Sequence, residues 1–227
     1  MITTQPIYGQ SVDEIVERIY QQTLVHEEQL DSLKNYSYVQ KIHFIKMDGD
    51  GEIEEQSKRE YLVKVISREQ RERDLISALD FEDQNWVDVT TEEKNKAPKE
   101  REGARFSLTE IVSPERRGEY TFSLSGDELV NDSQTVHLRV KPIEEDEEKF
   151  SGDLWFESNS YDLVKARLMP SDNPTGVESM VMDFSMGKYN DVWLPEKITF
   201  EAEVSFLIIF KGKIFSEIRF VDYRFEE

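Results

Sequence analysis

The chain has 227 residues, carries 48 acidic against 28 basic side chains for a formal charge of −20, and contains no cysteine. That length can bury a core without covalent staples, while the missing cysteine excludes disulfides, thiolate metal sites and a cysteine nucleophile. The acidic field disfavours nucleic acid and anionic membrane surfaces as partners, because both are bound through clustered Lys and Arg.

Residues 1–10 read as a flexible lead-in. Met1 to Gln10 has neither a basic n-region nor an apolar h-region, so no signal segment is expected there. Residues 11–227 are expected to form a single domain that does not span a membrane. The longest apolar run, Phe206-Leu207-Ile208-Ile209-Phe210, falls far short of the ~18 residues of a spanning helix.

A helix opens this domain. Ser11 is a good N-cap and Glu14 completes a capping box. Val12, Ile15 and Ile19 then recur at helical spacing, which predicts a helix from about Val12 to Leu33. From Tyr36 the period changes to two, with Tyr36, Tyr38, Gln40, Ile42 and Phe44 on one side of a strand. Asp48-Gly49-Asp50-Gly51 reads as a hairpin turn into a second strand, about 52–67, with Tyr61, Val63 and Val65 alternating. Residues 68–103 are charge-dense and include Trp86; within them 90–103 reads as a mobile loop. A short helix is expected over 104–112.

Strand follows strand from Tyr120. The alternation predicts strands near 119–125, 134–142, 148–157, 162–169, 177–189, 196–211 and 213–225. Turn chemistry lies at Ser125-Gly126-Asp127, Asp172-Asn173-Pro174, Asn190-Asp191 and Lys211-Gly212-Lys213. Long strands with short turns make a meander. The expected fold is mainly β with flanking α: a curved antiparallel sheet forming an incomplete barrel, covered by the N-terminal helix and lid segments.

A coiled sheet has a concave face that side chains or a ligand can fill. Met180, Met182 and Phe184 share one side of their strand, and methionine suits surfaces that accept varied apolar shapes. Phe206, Ile208 and Phe210 share a face, as do Ile218 and Phe220. These eight residues are the candidate ligand contacts, with Val12, Ile15 and Ile19 as lid contacts; ordinary core packing fits the same spacing.

Other constellations give little. Asp48-Gly49-Asp50-Gly51-Glu52 resembles part of a calcium loop, but Lys46 and Ser57 stand where the first and twelfth ligands belong. His26, His43 and His137 are not spaced to share a metal. There is no nucleophile elbow, phosphate-cradling glycine loop or dinucleotide fingerprint. No cofactor, no metal and no catalysis are expected.

Several segments in order resemble the bacterial outer-membrane lipoprotein-sorting superfamily, which contains the carrier LolA. They are Leu33-Lys34-Asn35-Tyr36-Ser37-Tyr38 after the helix; Tyr120 to Glu128 with Thr135 to Pro142; Phe150 to Glu157 leading to Tyr161-Asp162-Leu163-Val164-Lys165-Ala166; and Val192-Trp193-Leu194-Pro195 before the last hairpin, which ends Val221-Asp222-Tyr223-Arg224. The resemblance implies an incomplete barrel with a helical lid, a hydrophobic interior and a periplasmic location, the signal segment having been removed. It also implies a lipid or a lipidated protein as partner, through an acyl chain or similar apolar ligand. The alternative within the same fold is an envelope sensor or protein-interaction domain with an envelope protein partner and no stored ligand. The carrier uses an arginine on an early strand to hold its closed state; here the first strand carries Lys41 and Lys46, and Arg59 lies on the second.

Overall fold

A computed structural model describes residues 10–33, 35–67, 70–96, 111–206 and 210–225. The first element, α1, spans Val12–Ser32. The Ser11 amide donates to the Glu14 carboxylate at 2.9 Å, and the Glu14 amide donates to the Ser11 hydroxyl at 3.2 Å. Two otherwise orphaned donors of the first turn are thereby satisfied.

The strands are β1 (Tyr36–Asp48), β2 (Ile53–Val65), β3 (Arg71–Glu82), β4 (Asn85–Asp88), β5 (Tyr120–Val130), β6 (Ser133–Pro142), β7 (Phe150–Glu157), β8 (Leu163–Pro170), β9 (Val177–Tyr189), β10 (Val192–Phe206) and β11 (Phe210–Phe225). A short helix α2 (Thr90–Asn95) follows β4, and a 3-10 turn (Arg117–Glu119) precedes β5. Hydrogen bonding orders the strands β4-β3-β2-β1-β11-β10-β9-β8-β7-β6-β5 in one sheet of eleven. Two meanders are thus joined where β1 pairs with β11, antiparallel. The sheet is not closed, and the chain is mainly β with an N-terminal helix, as expected.

Four local expectations are corrected. The charge-dense stretch after residue 68 holds a hairpin, β3–β4, turning at Asp83-Gln84 with φ of 47° and 64°. Residues 90–95 of the expected mobile loop are helical. Ser125-Gly126-Asp127 is a bulge inside β5, where the register shifts between Leu124 and Gly126, and the chain turns at Asn131-Asp132 instead. Lys211-Gly212-Lys213 lies within β11, paired with Ser205, Val204 and Glu203. Dipeptides with both residues at positive φ, Asp83-Gln84 and Asn131-Asp132, make the first and third turns, and a bulge takes up Gly126. Of the short helix expected over 104–112, residues 104–110 lie outside the described residues; Ile111 and Val112 are helical and buried.

The residues cluster into two units, one drawn from 1–30, 106–172 and 183–194, the other from 31–105, 173–182 and 195–227. In the first, Val136 pairs with Phe156, Leu138 with Leu154, and Leu154 with Ala166. All of these are at most 1% exposed, as is Leu168. Ile15, Val16 and Ile19 of α1 are also buried in this unit. The helix is tied further by Glu17 to Arg117 at 2.6 Å and by Gln22 to Asp162 at 2.8 Å. In the second unit Tyr38, Val63, Val65 and Phe220 form the buried cluster.

Gly152 of β7 pairs with Leu168 of β8. Its φ is +152°, and a Cβ there would overlap the carbonyl of Arg167. Gly126, at φ +109°, has open space around it. Gly152→Ala is therefore expected to lose about 3 kcal/mol, from overlap with rigid backbone as well as conformation. Gly126→Ala should lose only about 1–2 kcal/mol, from conformation alone. Denaturant unfolding of the two variants checks the order; equal losses would contradict it.

Candidate ligand-binding face

Register fixes which side chains share a face of the second unit. Ile42 of β1 pairs with Ile218 of β11, which pairs with Ile198 of β10. The next matching row is Phe44, Ser216 and Phe200, and the one after is Lys46, Ile214 and Ala202. Side chains two residues apart point the same way, so Ile42, Phe44, Ile198, Phe200, Ile214 and Ile218 project from one side. All six are only partly buried. The opposite side of the same strands is mixed: Lys41 faces Arg219 and Glu60, and His43 faces Glu217 and Lys58, but Ile45 faces Phe215 and Val39 faces Leu62. One side therefore carries contiguous apolar surface that the described residues cover only in part.

Aromatic rings close one end of this face. Tyr38 lies 5.6 Å from Phe220 and 5.3 Å from Tyr223, and Tyr36 lies 5.9 Å from Phe225. The β1–β11 register shifts between Ser37 and Val39, with Asp222 at φ 56°. That bulge keeps Tyr223 on the side of Phe220 despite their odd separation. The Tyr223 hydroxyl donates to the Pro195 carbonyl at 2.7 Å. On β3, Arg71 pairs in register with Val65 and Arg73 with Val63. The Arg73 guanidinium stacks 3.5 Å from the Tyr61 ring centre.

Arg59 projects from the same side beside Ile42. Its guanidinium donates to the Leu79 and Lys58 carbonyls at 2.9 and 3.0 Å. It also meets Asp80 at 2.7 Å and Glu93 of α2 at 3.8 Å. Thr90 at the start of α2 accepts the Ala78 amide through its hydroxyl at 2.9 Å. Arg59 is thus the post to which α2 is tied, with its donors spent on the protein itself.

The candidate ligand contacts fall as follows. Ile218 and Phe220 lie on this face, Phe220 within the buried cluster and Ile218 packed against it. Phe206 pairs with Phe210 at the far end of β10–β11, and Ile208 lies outside the described residues. Met180 and Met182 belong to the second unit, whereas Phe184, also partly buried, belongs to the first. The lid candidates Val12, Ile15 and Ile19 all belong to the first unit; Ile15 and Ile19 are wholly buried there. Sequence reasoning missed Ile198, Phe200 and the tyrosine–arginine end. Alternation alone contained the first two; the last needed the pairing of β3 with β2.

Polar clusters elsewhere are self-contained. In the first unit a groove of about 970 Å³ runs between α1 and the start of β5, lined by Val12, Val16, Tyr120 and Phe122. The Glu17–Arg117 pair also lines it, and that contact holds the Glu17 carboxyl below its ordinary range. On another strand face His137 stacks on Trp155 at 4.6 Å and meets Asp153 at 2.8 Å, an acceptor shared with Arg139 at 3.0 Å. Burial raises the Asp153 carboxyl, but these two donors outweigh it and hold it low. Asp48, in the calcium-like hairpin, accepts the amides of Asp50 and Glu52 at 3.0 and 2.9 Å. Among the described residues no group of three or more acidic or histidine ligands converges as a metal site would require.

The geometry defines an open antiparallel sheet with one partly covered apolar face. No family model matches the chain, and no curated protein matches it. It is similar to solved structures. One is an outer membrane lipoprotein-sorting protein domain from Vibrio parahaemolyticus, at 12% identity over 93% of each chain with a TM-score of 0.41. Another is a LolA superfamily protein from Nitrosomonas europaea, at 11% identity over 90% of this chain and 94% of that one, TM-score 0.31. A third is a chain of the Pseudomonas aeruginosa MucA/MucB complex, at 10% identity over 95% and 99%, TM-score 0.28. At these values residue roles are not transferred, and the site rests on its own geometry.

Burial raises the hydroxyls of Tyr36 and Tyr38 above the ordinary tyrosine range, against the opposing pull of Arg71. The folded state thus holds their protons more tightly than the unfolded chain does. The stabilisation is whole below about pH 10 and is lost as pH rises through the folded values. Tyr38→Phe should flatten the fall in melting temperature above pH 10; an unchanged alkaline slope would place that hydroxyl in water.

Proposed function

We propose that this chain is a non-catalytic periplasmic binding protein for a lipid, a lipoprotein acyl chain or a similar apolar ligand. The observation that carries the reading is the contiguous face of Ile42, Phe44, Ile198, Phe200, Ile214 and Ile218, incompletely covered in a protein of strongly acidic surface. Apolar surface of that kind on one side of a sheet is what marks an interaction site. The periplasmic placing is supported by the sequence resemblance alone.

The energetics fit an acyl tail. About ten methylenes taken from water contribute roughly 8 kcal/mol. Ordering the tail and the tie of α2 to Arg59 offsets part of that, so affinity in the micromolar range or weaker is expected. The cavity contacts proposed are Ile218 and Phe220, with Phe206 and Phe210 at the other end of the same strand pair; Met180, Met182, Phe184 and Ile208 are further proposed contacts. Val12, Ile15 and Ile19 keep their proposed role as lid contacts.

A second reading, a protein-interaction or sensor domain, is favoured by a different feature. The edge strands β3 and β4 expose Ile76, Trp86 and Val87 at 46, 36 and 39%. Exposed apolar side chains on a sheet edge offer a template for strand addition by a partner.

Ile218→Asp and Phe210→Asp should weaken binding of a fluorescent fatty acid at least tenfold, about 1.4 kcal/mol. Trp86→Ser on the edge should leave it unchanged. Circular dichroism confirms folding of each variant. Undiminished uptake by a folded Ile218→Asp protein would remove this face from the site.

A further inference from the structure

The aromatic end of the apolar face ends on a guanidinium. Arg71 begins β3, is exposed, and pairs in register with Val65 beside Tyr36. Among the described residues no carboxylate lies within 4 Å of it. The alternation of β3 sends its neighbours Glu72 and Asp74 to the other side, opposite Lys64 and Leu62. Arg73, two residues on, is engaged with the Tyr61 ring. No acidic side chain of the described residues neutralises this guanidinium, in a chain with 48 carboxylates and a charge of −20. Here it stands at the rim of an apolar face, next to the rings of Tyr36 and Tyr38.

We propose that Arg71 binds the carboxylate head group of a long-chain fatty acid whose tail lies along the Ile42–Ile218–Ile198 side of the sheet. This rests on the reading of that face as a tail-binding surface and adds the chemistry of the head. A guanidinium fork matches a carboxylate with two parallel hydrogen bonds. With Arg73 stacked on Tyr61 and Arg71 already hydrogen-bonded to the Tyr38 hydroxyl, the remaining donors of one guanidinium are left for the ligand, which suits a single negative charge. The acidic surface disfavours a dianionic phosphate ester, since every added charge is repelled by the protein's net field.

Displacement of a neutral naphthylamine probe by dodecanoate, dodecanol and dodecyl phosphate separates the outcomes. Wild-type protein should bind dodecanoate about tenfold or more tightly than dodecanol, as a charge-assisted hydrogen bond provides. R71M should abolish that preference and leave dodecanol binding unchanged. R224M, which removes the same charge from an exposed position elsewhere on β11, should keep the preference. Equal binding of acid and alcohol by the wild type, or a preference that survives R71M, overturns the head-group assignment while the tail-binding reading stands. Tighter binding of dodecyl phosphate than of dodecanoate overturns the choice of a carboxylate. No displacement by any of the three overturns the tail-binding reading and this inference with it.

Discussion

The pairing register of β1 with β2 and β11 governs everything proposed for this protein. Side chains alternate across a strand, so a slip of one residue would exchange Ile42, Phe44 and Ile218 for Lys41, His43 and Arg219. The register holds because the alternative would bury those charges. It is fixed a second time at the bulge near Asp222, which keeps Tyr223 on the side of Tyr38 and Phe220. One side of the second unit consequently gathers Ile42, Phe44, Ile198, Phe200, Ile214 and Ile218 from three strands, while the other mixes Lys41, His43, Glu217 and Arg219 with Ile45 and Phe215.

Such a face has two ways to be satisfied, through the chain's own side chains or through something else. The two units differ in this respect. In the first, Val136, Leu138, Leu154 and Phe156 are essentially inaccessible, which is ordinary core packing. In the second, the large buried side chains are those of the cluster around Tyr38 and Phe220, with the small Ala78 and Ala202 also buried, and the isoleucines beyond it are left partly covered. Arg59 and α2 lie on this same side, and the arginine's donors go to Leu79, Asp80 and Glu93. The face is thus flanked by a polar post at one side and a tyrosine–arginine end at another.

Much of this was legible in the sequence. Ser11 and Glu14 marked the start of α1, and strand 177–189 was expected within its observed bounds. The β3–β4 hairpin was not legible, because Arg71-Glu72-Arg73-Asp74 is charged on both sides and a register shift sets Leu75 and Ala78, three residues apart, on one side. Gly126 and Gly212 misled for one reason: glycine serves a bulge or a strand interior as readily as a turn. For the proposed face, alternation set Ile218 and Phe220 on one side of their strand, but single-strand periodicity says nothing about which strands are neighbours. Arg71 and Tyr36 meet only because β3 pairs with β2 and β2 with β1, a tertiary fact that spacing does not encode.

Methyl resonances of the isoleucines report the face directly. Titrating isotope-labelled protein with a medium-chain fatty acid should shift the signals of Ile42, Ile198, Ile214 and Ile218 together, while the buried Ile111 of the first unit stays in place. Shifts confined to the first unit, or none at saturating ligand, would contradict the assignment of this sheet face as the binding surface.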